Sequence, residues 1–160
     1  LYNSKDIFFL YIYRNPLDTL LSFWKFIHHW NWHEGPKLNT PLKFIKAAPE
    51  GQMQRYQKKT YKNIFLRWAF HLSDWIEASK NCKNIYLVNY NDLDLEFKST
   101  VSNIFNYLDI SFNSISKPSR DNFVKTTKIS VTDDDYEEFV NYIYENLSLF
   151  PDIEKILKIK

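Results

Sequence analysis

Arg14 and Ser22 stand eight residues apart, and Asn15-Pro16-Leu17-Asp18 follows the Arg directly. Asn is a good helix N-cap, Pro fits the first helical position, and an acid in the first turn complements the helix dipole. The spacing therefore places Arg14 just before a helix N-terminus and Ser22 roughly two turns into the helix. An Arg beside a helix N-terminus is a prepared phosphate site, because a guanidinium fork and free backbone N–H groups converge there. The competing reading pairs Arg14 with a carboxylate and leaves Ser22 as a solvated helix position, on the side of Asp18 and Lys25.

Other reactive residues point to less. His29 and His33 are four apart, but Trp32, Glu34 and Gly35 make this a helix end and not a zinc-binding H-E-x-x-H helix. No metal is expected. His28 and His29 are read as structural or solvated. The single Cys82 allows no internal disulfide and no cysteine cluster. The only glycines are Gly35 and Gly51 in 160 residues, where average usage of about 7% would supply roughly eleven. Neither begins a GxGxxG turn or a Walker A loop, so the chain holds no glycine-rich phosphate cradle.

The elements that must carry Arg14 and Ser22 can be read from periodicity. Residues 7–13, Ile-Phe-Phe-Leu-Tyr-Ile-Tyr, form a short apolar run that predicts a strand buried on both faces. Leu17, Leu20, Leu21, Trp24 and Ile27 then recur at helical spacing, predicting a helix of about fifteen residues. Residues 31–62 hold both glycines, Pro36, Pro41 and Pro49. They predict an irregular insert with one short helix at 40–47, a candidate acceptor-covering loop. Ile64 through Ile76 predict an amphipathic helix, and residues 84–90 a second strand. Asn91 and Asp92 are candidate caps for a helix striped by Phe97, Val101, Ile104, Phe105 and Leu108. Residues 111–131 predict loop. Thr132 caps a helix striped by Tyr136, Phe139 or Val140, Ile143 and Leu147, and Pro151 opens a short terminal helix. The order predicts α/β architecture with about two parallel strands joined through helices. Two strands cannot bury both faces, so the pattern fits the second half of a three-layer sheet.

Composition bounds the class. Apolar residues make up 44% and aromatics 18%, too much for whole-chain disorder. A net charge of +2 is too balanced to imply nucleic acid. No run of about 18 apolar residues predicts a membrane span. The chain begins at Leu1 and not Met, and a piece of a longer protein is expected.

The stretch Tyr11-Ile12-Tyr13-Arg14-Asn15-Pro16-Leu17-Asp18-Thr19-Leu20-Leu21-Ser22-Phe23-Trp24 resembles a segment of the sulfotransferases that use 3′-phosphoadenosine 5′-phosphosulfate (PAPS). That segment is a strand, then Arg-[Asn/Asp]-Pro-x-Asp, then Ser eight residues after the Arg. Trp68-Ala69-Phe70-His71-Leu72-Ser73-Asp74-Trp75 is similar to the family's helix with His before Trp. Ile85-Tyr86-Leu87-Val88-Asn89-Tyr90-Asn91-Asp92-Leu93 is similar to its "LYLxYEDL" strand end, with Asn91 in place of Glu. Tyr107-Leu108-Asp109-Ile110 matches an "FLxI"-like stretch. The resemblance covers nearly the whole chain.

The resemblance implies a P-loop-like parallel sheet, of which this chain is a helix-rich C-terminal portion, a single partial domain over 1–160. It implies that Arg14 and Ser22 hold the 3′-phosphate of PAPS and that Tyr90 lies by the adenine. The family's late "FxRKGxxGDW" loop departs here to Phe123-Val124-Lys125-Thr126-Thr127-Lys128-Ile129-Ser130. Lys125 stands for the Arg without its bidentate fork, with Lys128 or Arg120 as compensating candidates. The family's "PKSGTTW" loop and catalytic His lie upstream of its equivalent of the first strand. No catalytic residue is therefore assigned here, the fragment alone is expected to be inactive, and the missing N-terminal part of the same domain is an expected partner. The implied reaction transfers a sulfuryl group from PAPS to a hydroxyl or amine of a small-molecule or glycan acceptor. The alternative is a non-catalytic nucleotide-binding or protein-interaction fragment. One free cysteine leans toward a cytoplasmic location.

Overall fold

The computed structural model describes residues 7–29, 35–55, 59–111, 113–119 and 129–158. The chain divides into two compact units. The first is Leu1–Arg14 with Asp74–Val124, and the second is Asn15–Ser73 with Lys125–Lys160.

The first unit is built on a two-stranded parallel sheet. β1 (Phe9–Tyr13) pairs with β2 (Ile85–Asn89), Phe9 opposite Ile85 and Tyr13 opposite Asn89. The register brings the carboxyl ends of both strands side by side, where Arg14 and Tyr90 leave the sheet. On the inner side Phe9 and Tyr11 lie against Trp75, Tyr11 stacked at 4.9 Å between ring centroids. Ile85 and Val88 are buried.

The other side of β1 differs from the expectation of a strand buried on both faces. Phe8, Leu10 and Ile12 are each about half exposed, at 49%, 47% and 48%. A two-stranded sheet has one helical layer's worth of cover in this unit, and successive side chains point to opposite faces. The alternation is the direct result.

After β2 the chain turns into α5 (Tyr90–Leu95) and α6 (Phe97–Tyr107). The cap of α5 is Asn89, whose side chain accepts from the Asn91 N–H at 2.9 Å, and not Asn91 or Asp92. The break between the two helices falls at Glu96. Val101 and Ile104 of the expected stripe are buried. Tyr107 reaches back to meet the Phe8 ring at right angles and to donate its hydroxyl to the Lys83 carbonyl.

The second unit is helical. α1 (Pro16–His29) starts where expected, and α2 (Pro41–Lys46) lies in the irregular insert, capped by the Thr40 hydroxyl. The insert also carries one helical turn, α3 (Gln52–Arg55). Gly51 leads into it at φ 58, a left-handed conformation that a side chain resists. α4 (Ile64–Asn81) opens in this unit and ends in the first. α7 (Asp133–Leu147) is capped by Thr132 and followed by α8 (Pro151–Leu157). Phe139, Ile143 and Leu147 form the fully buried stripe of α7, while Tyr136 is 41% exposed. Phe44, Phe65 and Ile153 complete a dry aromatic-aliphatic core, whose rings meet edge to face, as in Phe23–Phe44 and Phe65–Tyr142.

Candidate nucleotide-binding site

In the first unit, the residues at the carboxyl ends of the two strands form one cluster. Arg14 follows β1 directly, and its guanidinium lies over the Tyr90 ring, 4.8 Å from the centroid. Tyr90 is the first residue of α5 and is 39% exposed. A cation over an aromatic face gains about 0.5–1 kcal/mol at an exposed site. Arg14 is half-buried, with its Nε out of contact with solvent.

Tyr13 and Asn89 face each other across the last register pair, and Asp92 stands nearby in the first turn of α5. Burial raises the Tyr13 pKa above its ordinary value, the Asp92 charge adds to the rise, and a hydrogen bond with the Asn89 side chain opposes it. Tyr13 is thus a neutral hydroxyl beside Arg14. The cluster presents one cation, one aromatic face, neutral polar groups and the Asp92 carboxylate, at the strand ends where open α/β sheets bind ligands.

In the second unit, Asn15 shapes the start of α1. Its Oδ1 accepts from the Asp18 N–H at 2.8 Å, and its Nδ2 donates to Asp18 Oδ2 at 2.8 Å. The exchange is reciprocal, in the manner of a capping box. Ser22 lies exposed on α1, off the buried stripe of Leu20, Trp24 and Ile27.

His28 has a structural engagement. Its Nε2 is 2.7 Å from the Leu38 carbonyl oxygen, which also accepts from Trp24 Nε1 at 2.8 Å. Two ring donors on one carbonyl tie the insert to α1, and they set His28 in the tautomer with its proton on Nε2. Trp24 packs edge-on against the imidazole at 5.1 Å. This is the packing role expected for His28 and for Trp24.

Of the site residues expected from sequence, Arg14 and Tyr90 are brought together in the first unit. Ser22 is exposed in the second. Lys125, with Arg120 and Lys128, lies outside the described residues, as does His33. Sequence reasoning did not foresee the Arg14–Tyr90 stacking or the participation of Tyr13 and Asn89. Identical positions at the ends of two parallel strands were the available signal. Among the described residues, no group of three or more His, Cys, Asp or Glu could hold a metal ion. No helix among them is long and apolar enough to cross a membrane.

Comparison with known proteins identifies the family. The family described as "Sulfotransferase domain" matches residues 3–151. The chain belongs to the sulfotransferase domain family. Among individual proteins, it is 26% identical to an amine sulfotransferase of Oryctolagus cuniculus over 102 residues, which cover 62% of this chain and 29% of that protein. The match therefore spans less than a third of the relative's length. No solved structure gives a significant match.

Proposed function

We propose that this chain is the nucleotide-gripping portion of a PAPS-dependent sulfotransferase, one partial domain over 1–160, with Arg14 and Ser22 as ligands of the 3′-phosphate. The observation that carries the reading is the Arg14 guanidinium over the Tyr90 ring at the end of a parallel strand, within the residues that match the sulfotransferase domain family.

The residues present fit an adenosine 3′-phosphate by their chemistry. Arg14 offers a planar fork suited to phosphate, and the exposed Ser22 offers a hydroxyl. The exposed Tyr90 offers a ring face on which a base can rest. Lys125 is proposed as a further phosphate contact. When bound, PAPS supplies the activated sulfuryl group, which an acceptor hydroxyl or amine receives. The name of the rabbit relative keeps an amine among the candidate acceptors. This chain's own part is to bind and orient: holding the remote 3′-phosphate fixes the position of the reacting end. The proton-accepting His and the 5′-phosphosulfate loop are assigned to another portion of the same domain, and the cytoplasm is the proposed location.

The half-exposed row of Phe8, Leu10 and Ile12 supports that division of labour. It is an apolar sheet face of the kind a further layer covers. The same row is what favours the second reading, a protein-interaction fragment without catalysis.

Calorimetric titration of 3′,5′-adenosine bisphosphate into the protein tests the proposal. Arg14→Ala and Ser22→Ala should each weaken binding, the Arg14 change by about 1.5–3 kcal/mol as expected for a hydrogen bond to a charged group. Undiminished affinity in both variants would remove the site assignment and leave the interaction reading.

A further inference from the structure

Helix α5 carries Tyr90, whose ring lies beneath the Arg14 guanidinium, yet apolar burial does little to hold that helix in place. It has six residues, none of them buried, and Leu95 at its far end is 82% exposed. A helix this short is marginal in water by itself. Its placement rests on polar ties at its two ends. At the far end the Thr100 hydroxyl and the Glu96 N–H both donate to the Asp92 carbonyl, at 3.0 and 2.8 Å. Lys117 Nζ also meets Asp94 Oδ1 there, at 2.7 Å.

The tie at the near end is one side chain. Asn89 is the last residue of β2 and the cap of α5. Its Oδ1 accepts from the Asn91 N–H at 2.9 Å, which leaves its Nδ2 to donate. In the register Asn89 stands opposite Tyr13, the last residue of β1 and the chain neighbour of Arg14. A hydrogen bond joins the Asn89 side chain to the Tyr13 hydroxyl in the sense that favours the ionised phenol. The amide N–H therefore donates and the phenol oxygen accepts. One carboxamide thus links the end of the strand that leads into Arg14 to the first turn of the helix that carries Tyr90. All of these residues belong to the first unit.

We infer that Asn89 is a positioning residue for the proposed nucleotide site: by bridging the Tyr13 hydroxyl and the Asn91 N–H, it holds the Tyr90 ring under Arg14. The ligand in this inference rests on the sulfotransferase reading, whereas the bridge rests on the register and the cap. Asn89 acts through Tyr90 and needs no ligand contact of its own. With alanine at this position both bonds are lost, the start of α5 is released, and Arg14 keeps its charge without the aromatic platform.

The first test reads the ring without any ligand. The Arg14 side-chain protons next to the Tyr90 face should show an upfield ring-current shift by NMR, and Tyr90→Leu should abolish it. Asn89→Ala should remove most of that shift. Asn89→Ser keeps a cap acceptor without the amide donor, and Tyr13→Phe deletes the acceptor of that amide, so each should remove part. A parent-like Arg14 shift in Asn89→Ala overturns the inference. If Asn89→Ala does not fold, Asn89→Ser and Tyr13→Phe decide, and parent-like shifts in both overturn it. Calorimetry with 3′,5′-adenosine bisphosphate gives the second readout. Asn89→Ala should weaken binding about two- to fivefold, the worth of an exposed cation–π pair. It should add nothing in the Tyr90→Leu background, because residues that act through one contact are not additive. An equal loss in both backgrounds would make the role of Asn89 purely structural and overturns the inference. A parent that binds no nucleotide sinks the sulfotransferase reading, and the Arg14 shift still decides whether Asn89 places the ring.

Discussion

The Tyr90 ring under Arg14 should contribute to phosphate binding, and that contribution is measurable. The guanidinium rests over the ring at 4.8 Å, so the ring face, not the phenol hydroxyl, makes the contact. Tyr90→Phe keeps the face and should bind 3′,5′-adenosine bisphosphate nearly as well as the parent. Tyr90→Leu removes the face and should weaken binding by about 0.5–1 kcal/mol, the worth of an exposed cation–π pair. Calorimetry of both variants checks this, and equal losses would assign the effect to the hydroxyl. The strand end and the helix cap around Arg14 were legible in the sequence because their signals are local, and the spacing of eight residues is what proposes Arg14 and Ser22 as ligands. The stacking was not, because Arg14 and Tyr90 are distant in the chain. They become neighbours only through the register that sets Tyr13 opposite Asn89. His28 illustrates the same limit. The reading of a structural histidine agrees with its bond to the Leu38 carbonyl, but no periodicity could name that acceptor.

At the scale of elements, the long periodic ones were legible and the short ones were not. α1, α4, α6 and α7 carry apolar stripes of several turns, and the structure places them where the stripes fall. α3 has four residues, Gln-Met-Gln-Arg, too few for a stripe to show. α5 was hidden because Tyr90 continues the β-forming run of β2, while its cap, Asn89, is itself the last strand residue. The capping of α1 sets the start of the helix that carries Ser22, a proposed ligand. Asn15 both accepts from the Asp18 N–H and donates to its carboxylate. Asn15→Ala removes both bonds and should destabilise the protein by about 0.5–2 kcal/mol. Asn15→Asp keeps the acceptor but sets a second carboxylate against Asp18, so its loss should be intermediate. Urea midpoints of the two variants check the order. An Asn15→Ala protein as stable as the parent would mean that the reciprocal pair contributes nothing to the start of α1.

Across the whole molecule, tyrosine ionisation gives the two units a shared sensitivity to alkali. Tyr11, Tyr13 and Tyr107 in the first unit and Tyr142 in the second all have pKa values raised by burial. Tyr11, stacked on Trp75, is pushed up from 10.0 to about 12. Tyr142 lies edge-on to Phe65 and receives a hydrogen bond from Asn63 Nδ2 at 3.2 Å. In each case the folded state holds the proton more tightly than the unfolded chain does. Above the unfolded pKa the folded protein therefore binds more protons than the unfolded one, and stability falls as pH rises. Their contribution is complete below about pH 10 and for Tyr11 is lost progressively between the unfolded value of 10.0 and about 12. Two readouts check this. Tyrosinate absorbance of the folded protein should lag behind that of the urea-unfolded chain over this range, and the urea midpoint should fall with pH across it. Tyr11→Phe has no proton to lose at that position, so its midpoint should fall less steeply than the parent's over the same window. Parallel slopes for the two proteins would show that Tyr11 ionises freely in the fold, and that the Trp75 stack leaves its hydroxyl in contact with water.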